Sequence, residues 1–118
     1  MNKIAFYGSL ESDNYKAIAS VLKNWLKTEE LDIKIRLGGE EIVYENEQLY
    51  LYCYNAVSNE GGVQSFLLEG NMSGSLDEAK ALLQKLIKSC NNEYITGNFE
   101  YVEITEVGDE VSDQFYLK

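Results

Sequence analysis

The chain has 118 residues, 45% of them hydrophobic and 12% aromatic, and 20 acidic against 10 basic side chains leave a formal charge of −10. That length and apolar content suit one domain, residues 1–118, with a continuous core, and argue against a disordered chain. No histidine is present, which removes Ser-His-Asp and Cys-His nucleophilic chemistry, histidine acid/base catalysis and most zinc sites.

Phosphate backbones and anionic membrane surfaces both attract Lys and Arg, so the charge disfavours direct binding to either. It favours fast encounter with a basic protein. Cys53 and Cys90 are too few for a disulfide framework and too far apart for a zinc motif, and they read as buried thiols. No stretch approaches the ~20 apolar residues that cross a bilayer. Lys3 and the apolar run at 4–10 have the outline of a signal peptide. Glu11 and Asp13 cut that run short and no small-residue cleavage site follows, so it reads as a strand and the protein as cytoplasmic.

Residues 3–7 form the first predicted strand. A helix follows over 14–28, with Ser12 or Asp13 as N-cap. Tyr15, Ile18, Val21, Leu22, Trp25 and Leu26 fall on one side of it at helical spacing. Lys16, Lys23 and Lys27 line the other side, and Trp25, in mid-stripe, reads as core. Strands at 32–37 and 41–45 are joined through Gly38-Gly39, a pair suited to a tight hairpin. Asn46 turns the chain into a strand at 48–56, and a loop at 59–62 precedes a strand at 63–69. Ser75 with Glu78 three residues on is a capping-box pattern. It opens a helix whose apolar face is Ala79, Leu82, Leu83, Leu86, Ile87 and Cys90, with Asn91-Asn92 at its end. A hairpin of 93–107 and 110–117 around Gly108-Asp109 closes the chain. The order β-α-β-β-β-β-α-β-β, with short links between consecutive strands, predicts an α+β fold with a largely antiparallel sheet. Both helices are expected on one sheet face, with one on each face as the alternative.

Side chains alternate across a strand, so Leu49, Leu51 and Cys53 face one way and Tyr50, Tyr52 and Tyr54 the other. The tyrosine row reads either as an interface surface or as ordinary cross-strand packing. Tyr44, and Tyr101 with Phe99, are expected to extend it from neighbouring strands. Between residues 37 and 79 there are eight acids and no base, and between 89 and 117 seven acids and no base. Six of the ten bases fall on the two predicted helices. The sheet and its loops are therefore expected to carry the negative field. A surface kept acidic for solubility alone would usually intersperse both signs. The candidate partner-binding residues are accordingly Tyr44, Tyr50, Tyr52, Tyr54, Tyr101, Glu45, Glu47 and Glu103. A carboxylate dyad such as Glu45 with Glu103 is expected by chance among 20 acids. Gly108-Asp109-Glu110 with Asp113 lacks the oxygen spacing of a calcium loop and reads as a turn. No catalytic, metal-binding or cofactor-binding residues are assigned.

In size, charge and element order the chain resembles the small acidic immunity proteins that accompany bacterial polymorphic toxins, including those of contact-dependent growth inhibition. The local features that carry the resemblance are Gly74-Ser75-Leu76-Asp77-Glu78 at the start of the second helix and the closing hairpin over 99–118. The resemblance implies a cytoplasmic protein that binds a toxin domain, often a basic nuclease, and blocks its active or substrate-binding surface. It carries over no residue roles, because that group shares no common motif. A non-enzymatic inhibitor of this kind is the leading expectation. The alternatives are an acidic nucleic-acid mimic and a small-molecule-binding module.

Overall fold

A computed structural model describes residues 2–12, 15–28, 31–36, 39–58 and 64–118. The observed order is β1 (Lys3–Ser12), α1 (Tyr15–Leu26), β2 (Asp32–Arg36), β3 (Gly39–Glu45), β4 (Leu49–Ser58), β5 (Gln64–Ser73), α2 (Leu76–Asn92), β6 (Thr96–Ile104) and β7 (Phe115–Leu117). This is the expected α+β order. The seven strands form one sheet, β2-β3-β4-β5-β1-β6-β7, in which every neighbouring pair is antiparallel. β2 to β5 form a meander, and β1 is inserted between β5 and β6. Because β5 and β6 both run against β1, they are parallel to each other and α2 is the crossover between them.

Both helices cover the same face. Their buried stripes, Ile18, Ala19, Val21, Leu22 and Trp25 on α1 and Ala79, Leu83, Leu86, Ile87 and Cys90 on α2, recur at three- and four-residue spacing. They close over Ile4, Phe6 and Leu10 of β1, Ile42, Leu51 and Cys53 of β3 and β4, Phe66 and Leu68 of β5, and Phe99 and Tyr101 of β6. Trp25 is core, as its place in the stripe predicts, and its indole Nε1 donates to the Leu82 carbonyl at 2.9 Å. That bond ties the two helices together and satisfies the ring's one polar group. Two core glycines make this packing possible. Gly70 stands opposite Phe6 and Gly8 opposite Phe99. A Cβ at Gly70 would strike the Tyr50 carbonyl and come within 2.8 Å of the Phe6 ring, and one at Gly8 would strike the Phe99 ring. Each aromatic ring lies on the bare backbone across the strand pair.

The Ser75 capping box is present in both directions. Its hydroxyl accepts from the Glu78 amide at 3.1 Å and its own amide donates to the Glu78 carboxylate at 3.2 Å. α2 ends in a Schellman arrangement, with Ile95 donating to the Cys90 carbonyl and Tyr94 to that of Asn91. Tyr94 holds the left-handed position there at φ 58°, where glycine is usual. α1 ends the same way, with Lys27 at φ 55° and Thr28 donating to the Lys23 carbonyl.

Boundaries differ from expectation for local reasons. β1 runs on to Ser12, which pairs with Gln64 as the last strand residue, and α1 begins at Tyr15. The alternative cap, Asp13, lies outside the described residues, as do Gly38 of the expected hairpin and the loop at 59–62. β6 starts only at Thr96, because Glu93 to Ile95 complete the end of α2. The closing hairpin is mostly irregular. A turn at 105–108, one bridge between Ile104 and Glu110 and a Val111 amide donated to the Glu103 carbonyl precede the three residues of β7.

Candidate functional site

The sheet face opposite the helices is open, and the strand register fixes what it displays. Directly paired residues project to the same side, so one residue from each strand forms a row across the sheet. One such row spans all seven strands: Asp32, Val43, Tyr52, Glu69, Tyr7, Glu100 and Tyr116. Six intervals at ~4.8 Å make it roughly 29 Å long. Beside it run the rows Glu41–Tyr54–Leu67–Ser9–Asn98 and Glu45–Tyr50–Asn71–Ala5–Val102. Tyrosine rings and carboxylates therefore alternate along the first row from Tyr52 to Tyr116, while Ala5 and Val102 in the third row are buried. The rings of Tyr52 and Tyr54 contact at 5.1 Å between centroids, tilted by 46°. Tyr50, Tyr52 and Tyr54 are half-buried, while Tyr7 is 44% and Tyr116 69% exposed.

Among the residues whose side chains are described, the bases of this parity lie at the periphery, Lys3 near the start of β1 and Lys118 after β7. The charge placement expected from sequence is thereby sharpened. The face is not free of bases, but its middle strands β4, β5, β1 and β6 carry Glu69 and Glu100 among tyrosines. A second concentration of acids lies at one end of the sheet. The start of β1 and β4, the end of β3, β5 and β6 and the first turn of α2 all meet there. Glu45, Glu47, Asp77, Glu78, Glu103 and Glu106 belong to this end, with Lys3 among them.

The register separates the residues that alternation in single strands had grouped. Tyr50, Tyr52, Tyr54 and Glu45 share the open face. Glu47 is in the exposed turn between β3 and β4, where the Asn46 carboxamide oxygen accepts from the amides of Gln48 and Leu49 at 2.8 Å each. Tyr44, Tyr101, Phe99 and Glu103 have the opposite parity and do not extend the tyrosine row. Tyr44 pairs with Leu51 and packs against the core, its hydroxyl accepting from the Asn46 side chain at 3.1 Å. Tyr101 pairs with Phe6, is only 4% exposed and stacks on Phe115 at 5.3 Å. Burial, and then the charge of Asp77, raises the pKa of its phenol. Glu103 pairs with Ile4 at the helix-side rim and accepts from the Asn2 carboxamide at 2.9 Å. Glu45 and Glu103 stand on opposite faces with three strands between them, about 19 Å apart, so they form no dyad.

Tyr7, Leu67, Glu69, Glu100 and Tyr116 are members of the open face that strand-by-strand reading did not single out. Tyr7, Leu67, Glu100 and Tyr116 also line a groove of about 380 Å³ at the β1, β5, β6 and β7 side of that face. A second cleft, about 330 Å³, lies on the helix side between Trp25, Tyr44, Leu49, Met72 and Leu82. The two thiols belong to the core. Burial pushes Cys53 up to about 12, with Cys90 adding to the rise, and burial pushes Cys90 up to about 11. Both are protonated at neutral pH and poor nucleophiles. Among the described residues no three Cys, Asp or Glu side chains gather closely enough to hold a metal ion. No described helix is long and apolar enough to cross a membrane. Comparison with known proteins finds no matching family model and no matching curated sequence.

Proposed function

We propose that this protein is a non-enzymatic binding protein that neutralises a basic protein partner, in the manner of a cytoplasmic immunity protein acting on a bacterial toxin domain. The observation that carries this reading is the sheet face opposite the helices, where one row alternates tyrosine with carboxylate over five strands, from Tyr52 on β4 through Glu69, Tyr7 and Glu100 to Tyr116 on β7. Tyrosine gives contact area at low entropic cost together with a hydroxyl, and it is enriched at binding hot spots. The acids at the β3–β4 end, with the formal −10 of the chain, attract a basic surface and orient it before contact. Steering and contact are then tasks of adjoining regions: the carboxylate-rich end raises the association rate, and the tyrosine rows hold the complex once formed.

Pull-down of the product of the adjacent gene, followed by titration of the purified pair, tests the proposal. Wild-type protein is expected to retain a basic partner with an association rate that falls steeply with salt. Tyr52→Ala should weaken the complex mainly through faster dissociation, and Glu45→Lys mainly through slower association. Absence of binding, or affinity indifferent to both substitutions, would refute it.

A further inference from the structure

We infer that the groove beside Tyr7, Glu100 and Tyr116 anchors a single arginine side chain of the basic partner. This inference rests on the reading of the open face as a binding surface and names the chemistry that one part of it takes. Glu100 is paired on one side with Tyr7 and on the other with Tyr116, so its carboxylate rises between two phenol rings on adjacent strands. Leu67, also exposed, supplies an apolar wall from β5, and Asn98 a carboxamide from β6. Of the large apolar or aromatic side chains left exposed among the described residues, Tyr7, Leu67 and Tyr116 line this one groove. Tyr94, Val107, Val111 and Phe115 do not line it. Exposed aromatic area collected around one carboxylate is unusual on a surface that only needs to be wet.

The ligand that satisfies all three groups is planar, cationic and has an apolar stem. A guanidinium stacks on a phenol ring while its N–H fork meets a carboxylate in two parallel hydrogen bonds, and its methylene stem lies on an aliphatic wall. An ammonium group is compact and strongly hydrated, and it cannot stack and form the fork together. Lys118 also lines the groove. Where its ammonium reaches toward Glu100 it would compete with the arginine, and a flexible exposed side chain can swing aside.

The test uses the full chain and two short dye-labelled peptides of equal length and charge, one carrying arginines and the other lysines at the same positions. Fluorescence anisotropy at low ionic strength is expected to give about tenfold tighter binding of the arginine peptide. Tyr7→Ala, Tyr116→Ala and Glu100→Gln should each bring the ratio toward one, with far-ultraviolet circular dichroism confirming the fold. Lys118→Gln should tighten the arginine peptide, and Tyr94→Ala, at a site away from the groove, should change neither affinity. Equal binding of the two peptides, insensitive to Tyr116→Ala, overturns the arginine anchor and leaves acid-driven binding of a basic partner standing. Failure of both peptides to bind overturns the anchor and removes the support for a basic partner as well.

Discussion

The two faces of this sheet are made by the same strands and differ in every physical respect. Phe6 and Tyr7, Leu51 and Tyr52, Leu68 and Glu69, and Phe99 and Glu100 are sequence neighbours, yet each pair divides between the helix-covered side and the open side. On the covered side the rings fit so closely that glycine is required across from them. On the open side tyrosines are half-buried or exposed and share their rows with carboxylates. One face is built for stability and tolerates no change of shape. The other has spare surface, and substitution there should alter contacts with other molecules more than the fold.

Substitutions on the covered face should have the largest effects. Phe6→Ala should cost about 3–5 kcal/mol in denaturant unfolding, and Gly70→Ala a similar amount, because its new methyl meets backbone that cannot retreat. A loss under 1 kcal/mol for either would mean the close packing of Phe6 on Gly70 is wrong. Removing the Ser75 cap in Ser75→Ala should cost about 1 kcal/mol, measured the same way. On the open face, Tyr52→Ala loses its ring contact with Tyr54 and should cost no more than about 1 kcal/mol. A much greater loss would erase the contrast between the two sides. Tyr94→Gly, at a left-handed position whose side chain is 97% exposed, should stabilise by roughly 0.5 kcal/mol, as relief of backbone strain exceeds the added freedom of the unfolded chain.

The buried thiols give the comparison a pH signature. Their folded pKa values of about 12 and 11 exceed the ordinary 9.0, so from pH 9 upward the unfolded chain loses protons that the folded one keeps. The stability they help to maintain is complete below pH 9 and should fall as pH rises through 11 to 12. Urea midpoints for wild type and Cys53→Ala across that range would reveal it, as the variant should show a shallower decline. At neutral pH a disulfide reagent should label neither thiol until the protein unfolds, and rapid labelling would contradict their place under the helices.

Much of this protein was determined by its sequence alone. The helical spacing of Ala79, Leu83, Leu86 and Cys90, the capping box at Ser75 and the alternation in 49–54 are local patterns, and each acts within a few residues of chain. They fixed the element order, the amphipathic helices and the division of Tyr50, Tyr52 and Tyr54 from Leu49, Leu51 and Cys53. Only the tertiary structure decided which strands stand side by side and in what register. The insertion of β1 between β5 and β6 brought Tyr7 beside Glu69 and Glu100, residues more than 60 positions away along the chain. The register likewise set Tyr44 and Tyr101 on the covered side, though both looked like members of the exposed row. Alternation gives each strand two faces but carries no sign that says which face of one strand matches which of the next. That match is made by burial of the whole apolar set at once, and it is a property of the sheet rather than of any strand in it.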